Sequence, residues 1–176
     1  MKLLREWRKL GNGIRTETLS RVRQRGLTCC QGTDRDIYIT PGDVKRISDY
    51  TRRDDFYEYR KPINAGYLES DGDPAWIYYV FRNDGSRRVL KATPEGNCIF
   101  LAENGCLLPL HIRPIVCRLH SYAYDAGGLY NEFAAGCPVD MLAPGRSLAD
   151  CFDMDPANAS QWHKMLYEEI TLEKNI

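Results

Sequence analysis

The sequence predicts an α+β fold, a small single domain in which short strands (including a hairpin) and several helices are joined by irregular cysteine-bearing loops. Its 176 residues fall within the usual range for one domain, about 100–200 residues. Short β-prone runs alternate with helix-start signals along the chain. Several cysteines stand beside glycine or proline, residues that favour tight, irregular backbone. We therefore expect residues 1–176 to form one domain.

The N-terminal segment is rich in arginine and lysine, and its apolar residues recur at helical spacing: Leu3, Leu4, Trp7 and Leu10. This pattern is typical of an amphipathic helix that packs on the domain and leaves a basic face in solvent. The alternative is an arm that contacts phosphate or RNA.

A strand-like alternation at residues 36–39 leads into a helix start. Thr40 has the side chain of an N-cap, and Pro41 suits the first helical position. Asp43 lies where its carboxylate closes a capping box. The predicted helix continues through Ile47.

Residues 76–82 and 87–92 are two β-prone runs separated by an Asn-Asp-Gly-Ser turn, which predicts a hairpin. Residues 98–101 are predicted to form another short strand, followed by a turn at Asn104 and Gly105.

Residues 113–118 are expected to begin a helical turn at Pro114, and Gly127-Gly128 is a further turn signal. Near the end, Asp155 is a predicted cap and Pro156 suits the first helical position. A closing helix is predicted over residues 155–172. Its apolar face is expected to consist of Ala159, Trp162, Leu166 and Ile170.

The formal net charge is zero and the pI is near 6.8, so no global signal points to nucleic acid or to an anionic membrane. No stretch resembles a secretory signal or a membrane span, which needs about 20 apolar residues. We therefore expect a cytoplasmic protein without membrane association, in a compartment where structural disulfides are rare. Seven cysteines is also an odd number, so complete pairing within the chain is impossible.

Cysteines are the candidate metal ligands, because thiolates that converge on one ion need irregular loops to carry them. The candidates are Cys29, Cys30, Cys98, Cys106, Cys117 and Cys137. Arg113 and Arg118 bracket Cys117, where positive charge favours thiolate over thiol and offsets the negative charge of a thiolate-rich site. We expect these two arginines to shape the cofactor site.

Purely structural interpretations of the same residues stay open. The spacing is not that of a zinc finger. Free cysteines are often buried without binding a metal. We interpret Cys151 in this way, as a core or surface thiol. His111 and His120 are either a fourth ligand, a hydrogen-bond donor to the site or structural, and His163 is expected on a helix surface. The tyrosine pairs indicate packing, with a base- or peptide-stacking surface as the alternative.

The cysteines occur within a series of ordered motifs. These are Thr-Cys-Cys at 28–30, Ile-Tyr-Ile-Thr-Pro-Gly-Asp-Val at 37–44, Cys-Ile-Phe-Leu at 98–101, Gly-Cys at 105–106, Arg-Pro-Ile-Val-Cys-Arg at 113–118 and Gly-Cys-Pro at 136–138. In that order they resemble the YkgJ-type cysteine-cluster family, described as a zinc- or iron-chelating domain with a CxxCxxCC motif. Flagellin lysine methylases carry a similar cysteine arrangement. The resemblance covers about residues 23–140.

One departure from the family pattern concerns the start of that motif. The family usually has two further cysteines ahead of the adjacent pair, whereas Arg23 and Gly26 occupy those positions here. Six matching cysteines remain, enough for a site with four thiolates. If the relatives hold two metals, the resemblance implies that this chain, with its shorter motif, holds one.

The resulting functional hypothesis is a metal-binding protein that holds an iron–sulfur cluster or a zinc or iron ion through cysteine thiolates, which suit both by ligand type. Its biochemical role stays open. One alternative is a cluster-assisted enzyme for methyl or redox transfer, although Gly11-Asn12-Gly13 is too short for a glycine-rich cofactor loop. The other is an interaction module with a protein partner, in which structural zinc only holds the fold.

Overall fold

The computed structural model of this chain describes residues 30–32, 36–64, 68, 73–103, 105–120, 122–133, 144 and 155–173. The predictions for the N-terminal helix and for Cys29, Cys137 and Cys151 lie outside these residues. Within them, four helices and three antiparallel two-stranded sheets confirm the α+β class.

The described helices are α1 (Pro41–Thr51), α2 (Pro74–Val80), α3 (Ile115–Leu119) and α4 (Pro156–Glu173). The described strands are β1 (Tyr57–Arg60), β2 (Arg87–Leu90), β3 (Leu101–Ala102), β4 (Gly105–Cys106), β5 (Tyr122–Asp125) and β6 (Gly128–Phe133). Strand β1 pairs with β2, β3 with β4, and β5 with β6. Residues 36–39 contribute one bridge, from Tyr38 to Val89 of β2.

Helix α1 begins with the predicted capping box. The Thr40 hydroxyl accepts a hydrogen bond from the Asp43 N–H at 2.9 Å, and the Asp43 carboxylate accepts one from the Thr40 N–H at 3.1 Å. Together they satisfy two backbone donors that the first turn would otherwise leave unpaired. The helix ends at Arg52, which adopts the left-handed conformation (φ 57°) and donates its N–H to the Ser48 carbonyl.

The strand predicted at residues 76–82 is wrong, because this segment forms helix α2. The Asp73 carboxylate accepts a hydrogen bond from the Trp76 N–H at 3.1 Å, and Pro74 occupies the first turn. Trp76, Ile77 and Val80 then lie on one helical face and pack into the core. The strand that pairs with β2 is β1, across Tyr57–Leu90 to Arg60–Arg87.

The strand predicted at residues 98–101 is largely a turn. Cys98 makes one bridge, to Ala92, and β3 begins only at Leu101. The turn predicted at Asn104 and Gly105 is confirmed at Gly105, which has φ 109° and begins the strand that pairs with β3; Asn104 lies outside the described residues. The turn between β5 and β6 is also confirmed.

Two hydrophobic clusters make up the described core. The first joins α2, α3, α4 and the β5–β6 hairpin; Ala159, Leu166 and Ile170 of the closing helix are fully buried in it, and Trp162 packs against it. The predicted closing helix is therefore confirmed with its apolar face inward. The second cluster surrounds Phe56 and takes in Cys98. No helix in the described part of the chain is both long and apolar enough to cross a bilayer.

Candidate metal centre

Three of the predicted ligands, Cys30, Cys98 and Cys106, come together at the second hydrophobic cluster. The Cys98 N–H donates a hydrogen bond to the Cys30 carbonyl at 2.8 Å, which joins two segments far apart in sequence. The thiols of Cys30 and Cys106 are both close enough to Cys98 to act electrostatically on its ionisation. The fold thus gathers these three thiols from separate loops.

Backbone donors point at two of the three sulfurs. The Phe100 N–H donates to the Cys98 sulfur, and the Leu108 N–H donates to the Cys106 sulfur. In both loops the donor follows its cysteine by two residues, because the chain turns sharply just after the cysteine. The first turn is closed by a hydrogen bond from the Leu101 N–H to the Cys98 carbonyl at 2.8 Å. Donors in this position favour the charged sulfur over the neutral thiol.

Burial opposes ionisation of these thiols in the metal-free protein. It raises the pKa of Cys98 to about 12, and the nearby Cys30 and Cys106 sulfurs raise it further while the Phe100 N–H lowers it. Burial also raises the pKa of Cys106, against the lowering effect of Arg113. Cys98 and Cys106 are therefore neutral thiols near neutral pH, and a bound metal ion would take the place of their protons.

Arg113 braces the Cys106 loop. Its Nε donates to the Leu108 carbonyl at 2.9 Å, and its guanidinium also forms a hydrogen bond with the Cys106 thiol. The same side chain therefore fixes the loop geometry and supplies positive charge beside a sulfur. The site-shaping role expected of Arg113 stays a prediction.

Arg118 occupies a different position. It is 5% exposed, and its Nε donates to the Arg113 carbonyl at 2.7 Å. Its Nη2 is buried and has no hydrogen-bond partner among the described residues. The Asp43 carboxylate and the Cys117 thiol are its electrostatic neighbours, and desolvation lowers its pKa. Arg118 thus holds the Arg113 backbone, and Asp43 of α1 lies close enough to act on its charge.

Cys117 lies on α3, next to the first hydrophobic cluster, where its thiol acts electrostatically on Arg118 and on the partly buried Tyr124. The structure describes four of the predicted ligands, and the neighbours of Cys117 differ from those of the other three. Cys29 and Cys137, the other two, lie outside the described residues.

The histidines do not join the three gathered thiols. His111 and His120 are exposed. His163, expected on the surface, is instead half-buried: its Nε2 donates to the Asp125 carbonyl at 2.7 Å and its ring packs on Tyr167. Within the described ranges, no group of three or more His, Cys, Asp or Glu side chains is arranged to hold a metal ion. Any complete ligand set must therefore draw on a rearranged thiol or on residues outside those ranges.

Sequence reasoning missed the role of Asp43 in connecting α1 to the start of α3. Both oxygens of the Asp43 carboxylate accept a hydrogen bond from the Ile115 N–H, at 3.1 and 3.2 Å. Asp43 therefore caps α3 as well as α1. The capping-box pattern identified its local role, but no sequence signal connects it to a helix start in another part of the chain.

Comparison with known proteins gives no relative for this chain: no family model, no curated protein and no solved structure matches it. The likeness to the YkgJ-type family accordingly depends on the ordered motifs alone.

Proposed function

We propose that this chain is a metal-binding protein that holds an iron–sulfur cluster or a zinc or iron ion through cysteine thiolates. The observation that carries the proposal is the convergence of Cys30, Cys98 and Cys106 from separate loops, with backbone N–H groups directed at two of the three sulfurs. Donors at the sulfurs favour the thiolate form, which is the form that a metal ion binds.

The chemistry of the donors supports this function. Thiolates are soft ligands that suit zinc and iron–sulfur clusters, and Arg113 provides positive charge against the excess negative charge of such a site. A fourth ligand would come from Cys29, Cys117 or Cys137. Free thiols of this kind persist in a reducing compartment such as the cytoplasm, which is the location we propose.

The first experiment is purification without oxygen, followed by an ultraviolet–visible spectrum and analysis for iron, zinc and sulfide. A coloured protein with iron and sulfide indicates a cluster, and a colourless protein with stoichiometric zinc indicates a single-ion site. A protein that has no metal and takes up none on reconstitution contradicts the proposal.

Variants then test which thiols bind. Cys98→Ser and Cys106→Ser are expected to lose the metal, because each removes a sulfur of the gathered set. Cys151→Ser is the matched control, since Cys151 stands outside the predicted ligand set, and it should retain wild-type metal content. Equal metal content in all three variants would contradict the assignment of these ligands.

Chelation distinguishes a structural role from a chemical one. If removal of zinc unfolds the protein, the metal holds the fold of an interaction module, as in other small zinc domains. If a redox-active cluster is lost while the fold persists, electron or methyl transfer becomes the activity to assay. No contact among the described residues favours one of these roles over the other.

A further inference from the structure

An open cleft lies directly beside the gathered cysteines. A small pocket of about 10 Å³, enough for one water molecule, is lined by Cys30 and Cys98. A larger cleft of about 300 Å³, the lower end of the size range of ligand sites, adjoins it. Gly32, Lys91 and Gly96 line both. The cleft therefore leads from solvent to the side of the candidate metal site formed by Cys30 and Cys98.

Charged residues line the cleft, and among the lining residues that the structure describes cations outnumber carboxylates. Arg60 and Lys91 contribute two cations against the single carboxylate of Glu58. Glu58 is already paired with Arg60, at 3.4 Å. Lys91 has no salt-bridge partner among the described residues, and its electrostatic interaction is with the exposed Asp55. The Lys91 ammonium is consequently the cation available to a ligand.

The backbone holds Lys91 in place on both sides. Its N–H donates to the Phe56 carbonyl at 2.9 Å, and its carbonyl accepts from the Ile99 N–H at 3.3 Å. The second bond ties it to the residue that follows Cys98. The Lys91 backbone therefore has a fixed position relative to the Cys98 loop, and its ammonium extends from that position on a flexible stem.

A buried ion pair holds Arg60 in place. Its guanidinium pairs with the fully buried Asp36 carboxylate, which also lies 3.7 Å from Arg87. This pairing anchors Arg60 at the wall of the cleft. Arg60 ends β1 opposite Arg87, whereas Lys91 follows Leu90 of the antiparallel β2, so the two cations lie at opposite ends of this ladder.

We propose that this cleft binds a small anion of carboxylate or phosphate type and presents it to the Cys30–Cys98 side of the metal site. The binding site is independent of the metal, whereas the presentation of the ligand rests on the proposed function. The ligand class follows from the Lys91 ammonium, which has no salt-bridge partner in the described part of the chain, and from the small volume of the cleft, about 300 Å³.

The test is an NMR titration of the full chain with inorganic phosphate and separately with acetate, at constant ionic strength. The amides of Lys91, Ala92 and Gly96 are expected to shift saturably with a Kd of about 1 mM. Lys91→Gln should weaken binding about tenfold. Lys45→Gln is the matched control, because that exposed lysine pairs with Asp49 on α1, and it should bind as the wild type does.

Each outcome decides the proposal. Saturable shifts at the cleft that Lys91→Gln weakens support it, and the stronger of the two probes identifies the ligand as phosphate or carboxylate. Absent shifts, shifts elsewhere, or equal effects of the two lysine variants overturn it. Metal content measured on the same samples separates the two hypotheses: binding without metal removes the proposed function only, and metal without binding removes the cleft only.

Discussion

The Asp43 carboxylate accepts hydrogen bonds from its own helix start and from the Ile115 N–H, 72 residues further along the chain. Helix α3 begins after Pro114 without a side-chain cap of its own, so Asp43 supplies the cap from outside. Arg46 pairs with the same carboxylate at 2.7 Å. One buried side chain thereby aligns α1 with the segment that carries Arg113 and Cys117.

Removal of this carboxylate should destabilise the protein strongly. We expect Asp43→Ala to lower the free energy of unfolding by about 3 kcal/mol, because Arg46 loses its buried partner and two N–H groups are left unpaired. Denaturant unfolding followed by circular dichroism measures it. Asp49→Ala, which removes an exposed partner of Lys45 on the same helix, should change little. Similar losses in both variants would show that the Asp43 contacts contribute nothing beyond a surface pair.

High pH should destabilise the metal-free protein. The pKa of Cys98 rises from 9.0 to about 12 on folding, so above pH 9 the unfolded chain releases a proton that the folded chain retains. This group should then cost about 1.4 kcal/mol of stability per pH unit, up to the folded pKa. Burial also raises the pKa values of Tyr38, Tyr124 and Tyr167, with the same sign.

The comparison that isolates Cys98 is denaturant unfolding of metal-free wild type and Cys98→Ala between about pH 8 and pH 11, a range that begins below the ordinary thiol pKa and stays below the raised one. The variant should show a slope shallower by about one proton. Parallel slopes for wild type and Cys98→Ala would contradict a buried neutral thiol.

Arg113 should determine metal affinity. Arg113→Gln removes the guanidinium that binds both the Cys106 thiol and the Leu108 carbonyl, and the expected loss of affinity is about 10- to 100-fold. Competition with a chelator of known affinity measures this loss. Arg53→Gln, at an exposed arginine paired with Asp55, is the control and should leave affinity unchanged. An unaltered affinity in Arg113→Gln would confine Arg113 to a role in folding.

Asp73 joins α2 to α4. Its carboxylate caps α2 at the Trp76 N–H and accepts a hydrogen bond from the Tyr167 hydroxyl at 2.5 Å. Asp73→Ala should lower stability by about 2 kcal/mol through the lost cap and the unpaired hydroxyl. Tyr167→Phe in that background should restore part of the loss, since no hydroxyl is then left unpaired. Strictly additive effects in a double-mutant cycle would exclude this coupling.

Local features were predictable because their partners lie a few residues apart. Thr40 and Asp43 form a capping box within one turn of α1, and glycine supplies the positive φ that the hairpin turn at Gly105 requires. The face of α4 could be located from its period alone, because Ala159, Leu166 and Ile170 repeat at helical spacing. The cysteines could be identified as candidate ligands, but their grouping could not.

What the sequence by itself determined about this protein was therefore its α+β class, its caps and turns, and the residue types available to a metal. Tertiary structure alone decided that residues 74–80 form a helix, that β1 pairs with β2, and that Cys30, Cys98 and Cys106 meet while Cys117 borders Tyr124. The reason is physical: a cap or turn depends on hydrogen bonds within about four residues, whereas β-propensity is weak and yields to burial against distant elements.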